Sequence, residues 1–514
     1  MNERIHPPLN LTRYFAAFAP AALIGIFLIL AITSLARKNP TFDEVSHIPA
    51  GYAFLRTGEP RMNSEHPPLA KVLAGLPLMV LGLGDPEDFE GYAQGDQWRF
   101  GKAFLFENRV AADRITFWAR IPLVLLAAAL GLFVYRWSRE IHGEVGGLVS
   151  LALFCLSPNL IAHGRLVTTD VPIALFSLLV AYFLWRNLKA PPGRLWWPYG
   201  LSLALAFLAK YSAIVLLPAT VGVVLCWLWL DRPSRKDAGL FLRKFGVATT
   251  LPIMAVVVFG FGPTTPFAYV EGFRDALEKL NTEYLFYLAG EYSREGFYLY
   301  YLLAFALKTP IATLMILAIS LLAIRRHPRL VLVSLALPAL LFFLAPTLRR
   351  YNIGFRYILP IYPFLFVLAG GAISVPSPRG ALRWATAVLL VWLAVGTLRA
   401  YPHYLPYFNE MAGGSPGGIR WLDDSNVDWG QDLKALGRVA REESLGRIGI
   451  IYHGTARPTY YLPDSYVPTR SEADRPRSGQ VYAVSAHLAL REGWLDRAKP
   501  FRIIGHTIYL YRFP

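Results

Sequence analysis

YFAAFAPAALIGIFLILAITSL, residues 14–35, is an apolar run long enough for a helix to cross the ~30 Å hydrocarbon core of a bilayer. Arg37 and Lys38 follow it with no small-residue cleavage motif, so it reads as a retained membrane helix rather than a signal-peptide core. Further apolar runs lie at about 121–135, 145–161, 171–185, 197–210, 212–230, 246–262, 299–324, 330–346, 357–374 and 382–398, which makes eleven candidate spans. The chain is thus read as a polytopic α-helical membrane protein.

Composition supports this class. Of 514 residues, 54% are hydrophobic and only 17% charged, against about 25% charged in ordinary soluble proteins. The mean hydropathy is +0.38. A soluble cytoplasmic enzyme, a disordered chain, a collagen and a disulfide-stapled secreted module are excluded. The two cysteines, Cys155 and Cys226, both sit inside apolar runs and are too few for a cysteine zinc site. The net charge of +16 would point to nucleic acid in a soluble protein. Here the basic residues flank apolar runs, so membrane topology explains them and no nucleic-acid partner is expected.

The basic residues set an orientation. With the N-terminus in the cytoplasm, the inner segments carry Arg4 and Arg13; Arg136 and Arg139; Arg186, Lys189 and Arg194; the cluster from Arg232 to Lys244; Arg325, Arg326 and Arg329; and Arg379 and Arg383. The opposite short loops hold fewer: Arg165, Lys210, Arg349, Arg350 and Arg356. Eleven crossings put the C-terminus outside, as expected for a plasma (inner) membrane protein with an extracytoplasmic end. The division is a transmembrane domain, 1–398, and a small extracytoplasmic α/β domain, 399–514. In the latter, 447–452, 480–485 and 506–511 read as strands and 432–443 as a helix. The large outer loop, 37–119, contains an apolar stretch at 67–83 broken by Pro77 and glycines, an interfacial helix rather than a span. The outer loop at 263–297 has an amphipathic stretch, 273–287. No internal repeat is visible, which weakens a transporter built on inverted repeats.

Chemistry concentrates just outside the first span, at Asp43-Glu44. Two adjacent carboxylates at a membrane surface feel desolvation and each other's charge, both of which favour a general base. The plain alternative is a helix cap, with Asp43 as N-cap and Glu44 in the first turn. Asp170, Arg120, Lys210 and Arg356 fall on the same face in this topology. Ionisable residues at membrane depth are costly and read as functional, although any one could be a snorkelling anchor. Together they suit a site in which cations hold a lipid phosphate and carboxylates deprotonate a hydroxyl.

Several motifs carry a resemblance: Phe42-Asp-Glu-x-x-His47, Gly51-Tyr52, Thr57-Gly-Glu59, His66-Pro-Pro-Leu-Ala-Lys71, Ala119-Arg-Ile-Pro122, Gly164-Arg-Leu-Val-Thr-Thr-Asp170, Leu208-Ala-Lys-Tyr-Ser212 and Gly354-Phe-Arg-Tyr-Ile-Leu-Pro360. Over roughly residues 10–400 the chain resembles polyprenyl-phosphate-sugar-dependent glycosyltransferases of the GT-C fold. That group includes protein O-mannosyltransferases and lipid A aminoarabinose transferases. The resemblance implies transfer of one sugar, with inversion, from a polyprenyl-phosphate donor to an extracytoplasmic acceptor (a protein hydroxyl, lipid A or a glycan). It assigns Asp43 as the base, Glu44 and Asp170 as residues shaping the site, and Arg120 as a neighbour of the donor phosphate. Lys210 and Arg356 join that phosphate clamp on charge and position. His47 and His66 flank the carboxylates and are expected to organise the outer loop by hydrogen bonds, with Arg165 in support. No cofactor is firmly expected: a divalent metal is possible, but no histidine or cysteine pattern supports one. The rival readings are a lipid-linked sugar flippase or other transporter, and a structural protein whose C-terminal domain binds envelope glycans.

The segment Asp423-Asp-Ser-Asn-Val-Asp-Trp-Gly-Gln-Asp432 is also conspicuous. Its acids recur every four residues, unlike a calcium loop, so it reads as a capped helix start or as an acceptor contact. His403, Tyr404 and Tyr407 read as interface anchors.

Overall fold

Apolar runs become helices because a helix satisfies its backbone groups internally, as a hydrocarbon surround demands. The computed structural model describes residues 11–190, 194–281 and 283–514; Arg4, used above for orientation, lies outside them. Helix α1 (Leu11–Leu35) leads into three short helices, α2 (Glu44–Thr57), α3 (Leu69–Gly75) and α4 (Gln97–Phe106). The 44-residue α5 (Ala112–Cys155) then returns along α1. It is broken at Gly143, whose φ of 77° only glycine adopts readily. Next come α6 (Pro158–Gly164), α7 (Asp170–Lys189), α8 (Trp196–Ala209), α9 (Leu216–Asp231), α10 (Arg235–Phe259) and α11 (Ala268–Lys279). A hairpin of β1 (Phe286–Leu288) and β2 (Glu291–Ser293) precedes α12 (Tyr300–Lys308) and α13 (Ile311–Leu321), which meet at 104° around Pro310. Helices α14 (Arg329–Arg349), α15 (Ile361–Ala369) and α16 (Ala381–Ala400) complete the bundle.

Among the described residues, seven helices are long and apolar enough to cross a membrane, or eight if α12 and α13 form one bent span. The protein is a multi-pass membrane protein. The difference from eleven falls at three places. The run at 145–161 continues α5 beyond its break and ends in α6, the run at 197–210 is the 14-residue α8, and the run at 357–374 is α15 with a 3-10 turn at Gly370–Ser374. Helix α7 sits at the centre, buried on nearly all sides. A helix apolar all round belongs there. By contrast, α16 turns Trp384, Val388 and Val391 outward, and α10 exposes Leu251 and Met254, as lipid-facing helices do.

The stretch at 67–83 is α3 followed by a 3-10 turn, Leu76–Val80, with Val80 and Leu76 exposed. Helices α2 and α3 approach backbone to backbone: a Cβ on Gly51 would lie 1.9 Å from the Lys71 carbonyl oxygen. This contact sets the angle at which α2 presents Asp43. In the loop at 263–297, the amphipathic helix ends at Lys279, and the last two residues of the expected stretch, Phe286 and Tyr287, belong to β1. The antiparallel register Phe286↔Ser293 diverts it, closed by a tight turn at Ala289-Gly290 where both φ angles are positive.

After α16 the chain forms a four-stranded sheet in the order β3-β4-β6-β5. Strands β3 (Ile448–Ile451), β4 (Val481–Ser485) and β6 (Ile508–Arg512) fall where the alternation predicts them, and β5 (Arg502–Ile504) is an additional edge strand. Strands β3 and β4 are parallel, whereas β6 runs antiparallel to β4 and β5. The helix Leu433–Glu442 packs beside them.

Candidate active site

Residues from six distant stretches meet at one end of the bundle. Asp43 immediately precedes α2, but it does not cap it: its backbone is already helical (φ −71°, ψ −30°) and its side chain makes no cap hydrogen bond. An N-cap needs an extended backbone to turn its carboxylate onto the helix amides. Instead Asp43 Oδ2 accepts a hydrogen bond from Arg356 Nη1 at 2.7 Å, with both side chains partly exposed. Arg356 stands in the 3-10 turn Phe355–Ile358 between α14 and α15. Its guanidinium lies over the Trp429 ring at 4.3 Å and the Tyr357 ring at 5.4 Å. Burial opposes its charge, yet Asp43 and the neighbouring Tyr357 outweigh it and keep Arg356 protonated.

A second ion pair stands beside the first. Asp170, fully buried at the start of α7, accepts from Lys210 Nζ at 2.6 Å through Oδ1, while its Oδ2 has no hydrogen-bond partner. Lys210 sits at the break after α8, where the backbone turns extended (φ −159°, ψ 140°) and directs the side chain across the bundle end. Its ammonium lies 4.8 Å from the Tyr357 ring centre, so Tyr357 stands between the two cations. A mainly apolar groove of about 340 Å³ opens from Lys210 and Tyr357 past Phe273, Leu277, Phe342 and Pro346. A larger groove, about 660 Å³, runs along α14 and α15 from Cys226 to Leu368, but it contains no charged residue.

Glu44, the neighbour of Asp43, occupies a different environment. It is fully buried and its carboxylate accepts from Arg120 Nε (2.8 Å) and Nη2 (2.6 Å), the Thr41 amide and hydroxyl (both 2.9 Å) and the Val167 amide (2.9 Å). Burial pushes the Glu44 carboxyl up, but the Arg120 charge and these hydrogen bonds win and hold it below the usual range. Arg120 spends its remaining donors on the carbonyls of Leu35 (3.2 Å), Lys38 (3.0 Å) and Asn39 (2.9 Å). At 1% exposure and with all five N–H groups engaged, Arg120 has nothing left for a donor phosphate. The guanidinium ties the end of α1 to α2 and α5.

The supporting residues divide the same way. His47 Nδ1 lies 2.9 Å from the Val167 carbonyl oxygen, and its ring meets His66 edge-on at 4.8 Å. Burial lowers the pKa of both, so the pair is neutral at pH 7. Lys71 donates to the Asn63 (2.6 Å) and His66 (2.8 Å) carbonyls and fixes the loop between α2 and α3. Arg165 is buried away from the Asp43 pair, reaching the Pro402 carbonyl at 3.4 Å and lying over the Tyr404 ring. Tyr404 is fully buried and His403 meets Lys38 Nζ at 2.7 Å, so neither is the exposed anchor expected from sequence.

The segment 423–432 is the residue group that sequence reasoning placed least well. It is not a capped helix start: Asp423 and Asp432 precede short helices but make no side-chain cap hydrogen bond. It is buried between the sheet and the bundle: the Trp429 carbonyl accepts from the Phe42 amide (2.9 Å), Asn426 Oδ1 from the Phe355 amide (2.9 Å) and the Asn426 carbonyl from Lys308 Nζ (2.6 Å). Asp432 forms a buried ion pair with Lys38, and that charge overcomes burial to keep the Asp432 carboxyl below its usual range. Trp429 thereby becomes a wall of the Asp43–Arg356 pair.

Comparisons with known proteins bear on this arrangement. Residues 110–259 match the family model described as dolichyl-phosphate-mannose-protein mannosyltransferase. The structure of ArnT from Cupriavidus metallidurans in the apo state superposes with a TM-score of 0.51 at 14% identity, covering 95% of this chain and 97% of that one. The chain has the GT-C fold. The same protein bound to undecaprenyl phosphate matches with a TM-score of 0.48, at 14% identity and the same coverage. No curated protein sequence matches the chain. Within this GT-C framework the carboxylates around Asp43 each face a cation, and His47 is committed to a carbonyl. Among the described residues, the one grouping with metal-like spacing lies elsewhere, at Asp424, His453 and His487.

Proposed function

We propose that the protein is an extracytoplasmic-facing membrane glycosyltransferase that moves one sugar from a polyprenyl-phosphate donor to a hydroxyl acceptor on a protein, lipid A or glycan. The observation that carries this reading is an apolar groove that opens at Lys210 and Tyr357, with two cation–carboxylate pairs, Lys210–Asp170 and Arg356–Asp43, whose cations both lie over the Tyr357 ring. A polyprenyl phosphate needs both halves: apolar side chains for its tail and cations for its phosphate. Lys210 and Arg356 hold the phosphate, and Asp170, with one oxygen unpartnered, orients Lys210.

Arrival of the donor's phosphodiester monoanion competes with Asp43 for Arg356, and the second negative charge develops on the phosphate only as the sugar bond breaks. That competition frees the Asp43 carboxylate to take the proton of the acceptor hydroxyl. The hydroxyl oxygen attacks the anomeric carbon as the bond to the phosphate oxygen breaks, in one inverting displacement. Polyprenyl phosphate leaves with the electron pair, stabilised by the two cations, and the proton stays on Asp43. Glu44 and Arg120 serve this chemistry only by fixing the turn that carries Asp43. The orientation follows the basic-residue bias, with the N-terminus in the cytoplasm.

The test uses purified protein in proteoliposomes with a polyprenyl-phosphate sugar inside a bilayer and a hydroxyl acceptor outside. Stoichiometric release of polyprenyl phosphate with a glycosylated acceptor is the expected result. Movement of intact donor across the bilayer without such release would replace this reading by the transporter.

A further inference from the structure

The parallel pairing of β3 with β4 aligns Ile451 with Val484, so both strands end on one edge of the C-terminal sheet. Just beyond that edge stand His453 and, in the following helix Ala486–Arg491, His487. Their rings are 4.0 Å apart at 28°. Asp424, on the segment buried against the bundle, joins them from the other side, and one ligand atom from each of the three lies within 4.8 Å of the others. Asp424 has a left-handed backbone (φ 54°), and its carboxylate is further fixed by Tyr284 and by the Ser425 amide at 2.5 Å.

Three further observations favour a cation here. His487 is 6% exposed and its Nδ1 makes no aligned hydrogen bond, so this buried ring is turned with Nδ1 towards Asp423 and Nε2 as the atom that would meet the ion. Behind it, Asp423 Oδ2 lies 3.3 Å from that nitrogen and is itself held by Arg491 at 2.7 and 2.9 Å. A carboxylate backing a histidine is the arrangement that orients metal-binding imidazoles. Finally, two carboxylates, Asp423 and Asp424, face one guanidinium, which leaves an excess of negative charge.

We propose that Asp424, His453 and His487 form a binding site for a divalent transition-metal ion of the zinc type, with Asp423 orienting His487. Two nitrogens and one carboxylate oxygen suit zinc, whereas calcium and magnesium prefer all-oxygen sets. Ligand bonds of about 2.0–2.1 Å put tetrahedral ligand atoms about 3.4 Å apart, so the three atoms must close by up to about 1.4 Å. Rotation of the partly buried His453 imidazole together with small shifts of the Asp424 and His487 side chains would supply this. The ion would tie the sheet edge to the segment that carries Trp429 against Arg356, and His453 also packs on Phe42, next to Asp43. The three ligands are positioning residues; none touches the groove.

The full-length protein in detergent, stripped with a chelator and reloaded with Zn²⁺ or Co²⁺, is assayed by elemental analysis and visible absorption. One ion per chain is expected, with the intense Co²⁺ bands of tetrahedral nitrogen–oxygen coordination. His453→Ala and His487→Ala should lose the ion, Asp424→Asn should bind it at least tenfold more weakly, and His142→Ala, remote from the site, should keep it. Uptake of no ion by the native chain, or unchanged uptake by folded His453→Ala, would overturn the proposal. The metal count is read without any transfer reaction, so it stands or falls independently of the proposed activity.

Discussion

Asp43 and Glu44 are adjacent in sequence, both acidic and both paired to an arginine, yet their surroundings are opposite. Glu44 is sealed, with five hydrogen bonds on its carboxylate and an arginine whose every donor is spent. Asp43 keeps one side-chain hydrogen bond, from Arg356, and is partly exposed. The lesson is about spare capacity: a charge that has used all its partners holds the fold, and a charge with valence left over can meet a substrate. The same contrast separates Arg120 from Lys210 and Arg356.

The sharpest way to break this contrast is Asp43→Asn. It keeps the side chain's size, removes its ability to accept a proton, and should lower turnover by roughly 10²–10⁴-fold. Thermal unfolding should be nearly unchanged, because Asp43 caps nothing. A folded variant with near-normal transfer would end the case for Asp43 as base. Arg120→Ala should do the reverse, costing about 3–5 kcal/mol of stability because Glu44 is left charged and buried. Denaturation in detergent reads this directly. The sign with pH follows from Glu44, whose pKa is lowered from 4.5. The stability from its pairing is fully present above about pH 4.5 and is lost as pH falls through the lower folded value. The penalty of Glu44→Gln should therefore stay constant from pH 8 to 5 and shrink only under stronger acid.

Smaller effects sharpen the boundary between the two classes. Lys210→Ala and Arg356→Ala should each weaken donor-lipid binding by about 10–100-fold, equivalent to a charge-assisted hydrogen bond of ~1.5–3 kcal/mol. Lipid titration followed by intrinsic fluorescence measures it, and unaltered affinity in both would move the phosphate elsewhere. The smallest change is Trp429→Phe, which preserves burial but weakens the ring beneath Arg356. A cation–π contact of ~0.5–2 kcal/mol predicts a loss of a few-fold in kcat/KM.

Much of the architecture is legible from local pattern alone. Helices α1, α7 and α14 follow from unbroken apolar runs, and β3, β4 and β6 from alternation and turns, because those signals need only neighbouring residues. The acidic pair and the cations of the site are legible because charge is rare beside a membrane span. What local pattern lacks is partnership. Glu44 and Arg120 are 76 positions apart, and Asp43 and Arg356 are 313 apart. Nothing in either stretch says which arginine will be exhausted by carbonyls. Trp429 is harder still, since its role exists only where a segment after the last apolar helix is pressed back against α2. The strand β1 escaped because its pairing with β2 overrides a helical periodicity that continues through Lys279.

That returning segment has a consequence for how the protein is made. Helices threaded into a bilayer one after another bring Asp43 early and Arg356 late, and the wall at Trp429 and the Lys38–Asp432 clasp arrive only after α16 has been released. A nascent chain halted before that segment therefore holds Asp43 and Arg356 without their indole wall. The pair is enclosed only once the residues around Trp429 have emerged and packed back against the turn before α2.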